Sequence, residues 1–423
     1  MTIADTAPSS RLTRFLRNRV LARLEGLRHG RVTLVDGGTR AVLGDEGADL
    51  QAAIHVNDPR FWSAVAFGGT VGAGAAYAEG RWDCDDLPSL VRILVRNREV
   101  LDGMEGGLAR ASAPLRAAFH ALRRNSSRGS RKNIEAHYDL GNDFFRLFLD
   151  ETMTYSCGVF ERDDATLAEA STAKLDRLCR KLDLRPHHHL LEIGAGWGSF
   201  ALHAAARYGC RVTTTTISPS QHRLVVERVR AAGLEDRVEV LLADYRDLTG
   251  AYDRIVSIEM VEAVGHRFLD TYFGKCAELL RDDGAMGLQA ITIQDQLHRR
   301  ALNEVDFIQR YIFPGSCIPS NESICSSLTR ATDLKLFHLE DIGPHYARTL
   351  REWRRRLLAR EGDVRALGLP RELPRLWEFY FAYCEGGFEE RALGTVQMLL
   401  TKPRCRVAPV LPPLRAPALA RGR

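Results

Sequence analysis

From about residue 133 to residue 402 the chain alternates short apolar, β-branched runs with longer segments of helical period. The runs are His189-Leu190-Leu191 ahead of Glu192, RVTTTTIS (211–218), RVEVLL (237–242), DRIVSI (253–258) and GAMGLQAITI (284–293). Between them ALHAAARYG reads as a helix. SPSQHRLVVERVRAAG reads as another, with an apolar stripe of Leu224, Val225 and Val229 and a stop at Gly233. Strands and helices in this rhythm predict an α/β fold: a parallel, doubly wound sheet of Rossmann-like type with ligands beyond the carboxyl ends of its strands. That rule puts Glu192, Thr216, Asp244 and Glu259 at the rim. Residues 1–105 read differently. A basic helix over Arg11–Arg28 is followed by strand signals in RVTLVDGG and AAIHV and by a helix over SLVRILVRNREVL, predicting a smaller α+β domain. Residues 106–132, rich in Gly, Ser, Ala and Arg, read as a linker, 133–402 as the main domain, and the Pro- and Arg-rich 403–423 as a disordered tail.

The stretch EIGAGWGSF (192–200) lies where a strand turns into a helix, and Gly194, Gly196 and Gly198 let the backbone approach a ligand closely. The spacing is tighter than the dinucleotide pattern, and a carboxylate precedes the first glycine. Together these favour a cofactor with a cationic amino-acid end, such as S-adenosylmethionine (SAM). Thr216 and Asp244, at the next two strand ends, are further candidate positions for cofactor or substrate. Helix capping is the alternative for Asp244.

A net charge of +5 suits an anionic surface without demanding one. Nine scattered cysteines without a Cys-x-x-Cys pair predict neither a disulfide framework nor a zinc site, and a reducing cytoplasm is the simplest setting. Adjacent His187, His188 and His189 alternate faces, so no metal is assigned. No apolar run approaches the roughly 18–20 residues of a membrane span. The Arg11–Arg28 helix, with Leu12, Phe15, Leu16, Val20, Leu24 and Leu27 near one face, suits either an anionic membrane surface or packing on its own domain. For Trp353 with Arg354, Arg355 and Arg356 a solvated face is favoured.

The aromatic-rich NIEAHYDLGNDFFRLFLDETMTYSCGVFE (133–161), followed by EIGAGWGSF, TISPSQ, DYRDL, VSIEMVEAVG, YIFPGSCIPS and PHYARTL, closely resembles the cyclopropane fatty acid synthase family. Residues about 30–105, including DPRFWSAVAFGGTVGAGAAYAEGRW, also look like the smaller N-terminal domain of its phospholipid-acting members. The resemblance implies methyl transfer from SAM to a cis double bond in an acyl chain of a membrane phospholipid, then loss of a proton to close a cyclopropane. It further implies an enzyme working in the cytoplasm, peripherally at the inner membrane surface, with no nucleic-acid partner; a homodimer stays open. The matching motifs imply Tyr155 and Ser156 near the SAM carboxylate, Gly194 and Gly196 under its methionine portion, Thr216, Ile217 and Gln221 around its ribose, and Asp244 and Tyr245 bordering its adenine. An exposed helix position is the alternative for Gln221. His137, Tyr138, Phe145, Tyr311 and Phe313, with Phe144, Phe148 and Tyr155, are candidates for the acyl channel, core packing being the alternative for each aromatic.

In the resembling family the base is a bound bicarbonate. Carried over, its site comprises Cys157, Glu262, the backbone of Ile291, and Tyr346. The chain departs from the pattern in carrying Gln289 and Ala263 where many members carry histidine, although the Gln289 amide can still donate to an oxyanion. Proton loss at another carbon would give a methylene- or, after reduction, methyl-branched chain. A small-molecule methyltransferase and a lipid-binding protein without chemistry are the remaining alternatives.

Overall fold

A computed structural model describes residues 10–105 and 140–411. The amino-terminal pattern forms α1 (Arg11–Leu24), β1 (Arg31–Asp36), β2 (Thr39–Gly44), β3 (Gln51–Val56), α2 (Arg60–Ala78), β4 (Trp82–Cys84), α3 (Leu87–Arg96) and α4 (Arg98–Glu105). The four strands make one sheet in the order β2-β1-β3-β4. Gly37 and Gly38 supply the two positive φ angles (51° and 86°) of the β1–β2 hairpin turn. The single helix expected over SLVRILVRNREVL breaks at Asn97. Its side chain accepts from the N–H groups of Arg28 and His29 and donates to the Ile93 carbonyl, offering the backbone an alternative to helix. On α1, Leu16, Val20 and Leu24 pack inward while Leu12 and Phe15 stay 61% and 56% exposed, so the helix sits on its own unit and still presents apolar side chains outward.

In the larger unit α5 (Gly141–Arg146) and α6 (Leu167–Lys181) precede the sheet. β5 (His189–Ile193), β6 (Arg211–Thr216), β7 (Val238–Leu242), β8 (Tyr252–Ile258) and β9 (Leu280–Ile293) are the five expected strands, with α7 (Ser199–Tyr208), α8 (Pro219–Ala231) and α9 (Leu269–Leu279) among their crossovers. They pair in parallel in the order β7-β6-β5-β8-β9. The winding reverses between β5 and β8, which opens the crevice in which such sheets bind ligands.

The rest of the chain supplies α10 (Asp295–Ala301), α11 (Phe307–Tyr311), α12 (Asn321–Ala331), β10 (Lys335–Asp341), α13 (Gly343–Ala359), α14 (Glu361–Ala366), α15 (Leu373–Glu389) and β11 (Leu393–Thr401). β11 runs antiparallel to β9, and β10 antiparallel to β11. The seven-stranded sheet is therefore mixed, and the expectation of a wholly parallel sheet is corrected. β11 hides in the sequence because it buries Thr395 and Gln397 completely, polar residues that break an apolar run.

The two units share one apolar core, in which Trp62, Ile93, Phe148, Trp353 and Trp377 belong to the same cluster. α15 is the seam. Arg375 donates to the carbonyls of Tyr77 and Trp82 and pairs with Asp83, the Tyr77 hydroxyl donates to Glu378, and Glu390 pairs with Arg92 and Arg96. The arginines after Trp353 are engaged too. Arg354 pairs with Glu385, Arg355 with Glu352, and Arg356 donates to the Leu149 carbonyl, so this is not a bare cationic face.

Candidate active site

β5 delivers Glu192 to the rim buried, 3% exposed, with Oε2 accepting from the Thr214 hydroxyl of β6 at 2.6 Å. Burial pushes its carboxyl up to about 8, against the pull of the Thr214 hydrogen bond and the Lys174 charge. All three loop glycines have positive φ (98°, 52° and 88°). A Cβ on Gly196 would meet nothing within 4 Å, because the position opens into the central cavity. A Cβ on Gly198 would instead press on Val225 of α8 at 3.0 Å. Gly198 therefore serves helix packing and is not on the cavity wall, which corrects its assignment to the cofactor.

Past β6, Thr216 donates to the Gln221 side-chain carbonyl at 2.8 Å, leaving the Gln221 amide for donation. Past β7, Asp244 caps the turn through the Arg246 N–H and makes a two-pronged ion pair with the Arg246 guanidinium. That guanidinium also lies 5.3 Å over the Tyr245 ring. Tyr155, Ser156, Thr216, Ile217, Gln221, Asp244 and Tyr245 all line the cavity with Glu192 and Gly196. Lys174, a lysine on the buried face of α6, donates to the Ser156 hydroxyl at 2.9 Å. Burial lowers its pKa to about 8, opposed first by the charge of Glu259.

The exit of β8 carries the second cluster. Glu259 adopts φ 49°, a left-handed conformation rare outside glycine. One of its oxygens accepts from the Cys157 N–H at 2.9 Å and the Gln289 amide at 2.7 Å, and the other from the Tyr346 hydroxyl at 2.7 Å. Three residues on, Glu262 accepts from the Ile291 N–H through one oxygen, while the other, buried, has no partner among the described residues. Burial and then the charge of Glu259 push the Glu262 carboxyl up to about 8, so it is neutral at pH 7 beside a charged neighbour.

A cavity of about 1060 Å³ joins these parts. Its far wall is apolar and comes from both units: Phe313, Phe379 and Tyr383 on one side, Ile54, Val65 and Leu90 on the other.

The family model for mycolic acid cyclopropane synthetase matches residues 125–398. The chain belongs to that family. It is 38% identical over 342 residues, 79% of each chain, to the tuberculostearic acid methyltransferase UfaA1 of Mycobacterium tuberculosis. It is 34% identical to the cyclopropane-fatty-acyl-phospholipid synthase of Escherichia coli K12, covering 83% of this chain and 88% of that one. Among solved structures, the mycolic acid cyclopropane synthase CmaA1 complexed with SAH and CTAB superposes with a TM-score of 0.61 at 36% identity, covering 64% of this chain and 98% of the other. With the fold and the cradle, membership makes this chain a SAM-dependent methyltransferase. The residues present fit SAM: the Gly196 position leaves room for a ligand, and a buried carboxyl that can ionise against a cationic group stands at the strand end.

Within this family member the expected catalytic set divides. Glu262, Ile291 and Tyr346 reach the cavity wall. Cys157 and Gln289, both 0% exposed, lie behind it and face Glu259. Cys157 acts through its N–H, and burial holds its thiol well above the usual range. Of the expected channel residues Phe313 and Tyr155 line the cavity. Phe144, Phe145 and Phe148 are 0% exposed and pack among Trp377, Trp197 and Phe381, so they are core and not channel. Tyr311 is also corrected: it is 38% exposed beside Phe307 and Arg310. His137 and Tyr138 lie outside the described residues.

Two functional residues escaped the sequence reading. Glu259 was placed at the rim without a role; its signal is a carboxylate directly after an apolar strand. Lys174 is a lysine at the helical spacing of Ala170, Ser171 and Leu178, all buried.

Proposed function

We propose that this enzyme transfers a methyl group to the cis double bond of an unsaturated acyl chain of a membrane phospholipid and, by loss of a proton, leaves a cyclopropane. The observation that carries the reading is the single cavity joining the Glu192–Gly196 cradle to an apolar wall built by both units. Bound SAM would supply an electrophilic methyl. An alkene is a poor nucleophile, so the protein must hold it in line at about 3–3.5 Å and keep water from the cation that follows. Phe313, Tyr380 and Phe388 suit the second task, being aromatic, on the cavity wall and packed in or against the common core. Glu192 is the partner we assign to the cationic end of SAM, with Tyr155 and Ser156 beside its carboxylate.

No helix among the described residues is long and apolar enough to cross a membrane. Exposed Leu12 and Phe15 on α1, with Arg11, Arg14 and Arg19, support a peripheral contact with an anionic cytoplasmic surface. A second product, a methylene- or methyl-branched chain, is favoured by the likeness to a relative named for tuberculostearic acid rather than for a cyclopropane. Incubation with methyl-labelled SAM and liposomes of monounsaturated phospholipid tests the reading. Label in the acyl chain is expected, and NMR of the released acids separates ring from branch. Label absent from lipid would refute it.

A further inference from the structure

Gln289 lies in a file of side chains whose polarity is fixed at one end. Lys181 can only donate, and it donates to the Gln397 carbonyl at 2.9 Å. The Gln397 amide therefore faces Gln289 and donates to its carbonyl at 3.0 Å. That leaves the Gln289 amide to donate forward, to Glu259 at 2.7 Å. The Cys157 backbone N–H likewise can only donate, and it meets the same oxygen. Glu259 thus ends an oriented chain of donors, which is the environment of a carboxylate and not of a carboxylic acid. Its remaining surface faces the cavity, on the wall shared with Glu262, Ile291 and Tyr346.

The donors that the family resemblance assigns to a bound bicarbonate, the Cys157 segment, Gln289 and Tyr346, thus already converge on a carboxylate of the chain itself. Bicarbonate does not fit here. Its hydrogen-bond donors are engaged, and Glu259 would repel it. Building on the acyl methylation above, we propose that Glu259 is the base of this enzyme, a tethered carboxylate in the place of a captured anion.

The step balances without another reactant. Methyl transfer forms a C–C bond from the alkene π pair, and the broken S–C bond leaves its pair on sulfur. Glu259 then takes a proton from the new methyl group, and the C–H pair closes the ring. After a hydride shift from the methyl-bearing carbon to the neighbouring cation, the same proton loss makes a methylene branch on the chain. Three residues away, burial and then the charge of Glu259 push the Glu262 carboxyl up to about 8, so Glu262 is the member of the pair that keeps its proton more readily.

Two variants and one buffer test this. Glu259→Gln should lower kcat at least about 100-fold, the range of a lost general base, while SAM affinity stays within about threefold. Glu259→Gly suits the left-handed backbone, so it folds, and it vacates the space before three donors. It should be equally inactive and recover with millimolar bicarbonate or formate. Wild-type turnover should be unchanged in carbon-dioxide-free buffer. A wild-type rate that collapses in that buffer, or full turnover by Glu259→Gln, would overturn the proposal. Binding of ¹³C-bicarbonate, followed by NMR, decides it even if lipid proves not to be the substrate: the glycine variant should bind the anion and wild type should not. Binding to wild type at the same affinity would also overturn it.

Discussion

The buried carboxyl at the end of β5 makes cofactor affinity a function of pH. In the free protein Glu192 sits near 8, so between pH 6 and 7.5 most molecules carry its proton. A cationic amino-acid end seated against Glu192 requires the carboxylate, so binding must expel that proton. Kd should then fall as pH rises through this window, approaching tenfold per unit, or about 1.4 kcal/mol. Thr214→Val removes the donor at 2.6 Å while keeping the β-branched shape. A hydrogen bond to a charged acceptor is worth about 1.5–3 kcal/mol, so the carboxyl should climb by about one to two pH units. Affinity at pH 7 should drop about 10- to 100-fold by the same conversion. Calorimetric titration in two buffers of different ionisation heat counts the protons directly, and close to one should be released at pH 6.5. S-adenosylhomocysteine, which shares the amino-acid end and lacks the sulfonium, should release the same number. Zero release, or an unchanged Kd in Thr214→Val, would refute the assignment of Glu192.

Gly196→Val should abolish SAM binding, since its side chain would fill cavity space and strain a backbone at φ 52°; retained affinity in calorimetry would show the loop is misassigned. Glu262→Ala should lower turnover far more than SAM affinity, because the lost carboxyl lines the cavity beside Glu259, and equal losses in both would speak against a role next to the base. Glu262→Gln should stabilise the fold in alkali. The folded carboxyl titrates near 8 against an ordinary 4.5, so ionisation destabilises the native state progressively across that interval. The gain in Tm should be least at pH 5 and greatest at pH 8.5, and a gap independent of pH would contradict this. Arg375→Ala removes two hydrogen bonds and an ion pair across the seam and should cost about 1–3 kcal/mol in a denaturant melt, with faster proteolysis of the amino-terminal unit.

The cofactor half of the site was legible because strand ends announce themselves. Glu192, Thr216 and Asp244 stand at or just past the ends of apolar or β-branched runs, Gln221 opens the helix after one, and each reaches the cavity. The acyl half was not. Phe144, Phe145 and Phe148 have the composition of a greasy channel, yet helical spacing turns them into the core between Trp197, Trp353 and Trp377. The real wall is assembled from α15 and the amino-terminal unit, segments some 300 residues apart, and no local pattern signals that meeting. Gln289, Cys157 and Tyr346, grouped through the resemblance, all bond to Glu259. What they share depends on where the Glu259 side chain turns, and that follows from one left-handed backbone angle.

That angle also explains why two glutamates three residues apart can do different work. Glu259 is turned back toward β9, where its own N–H donates to the Gln289 carbonyl at 2.8 Å and the Gln289 amide returns a bond to its carboxylate. Glu262 receives one backbone donor, and burial, then its neighbour's charge, push its carboxyl up to about 8. Pairs of carboxyls held apart in this way divide into one that accepts a proton and one that keeps its own. A captured anion has to be collected from solution and lost again, whereas a tethered carboxylate is present in every turnover at a fixed position. Strain of about 1–3 kcal/mol at one residue is small against that gain. The arrangement carries its own pH signature. Burial raises the Glu259 carboxyl while Tyr346, Gln289 and the Cys157 N–H pull it back, so kcat should fall on the acid side through an apparent pKa above the ordinary 4.5. Tyr346→Phe, with one opposing donor gone, should move that limb to higher pH; an acid limb that stays in place would separate Tyr346 from the base.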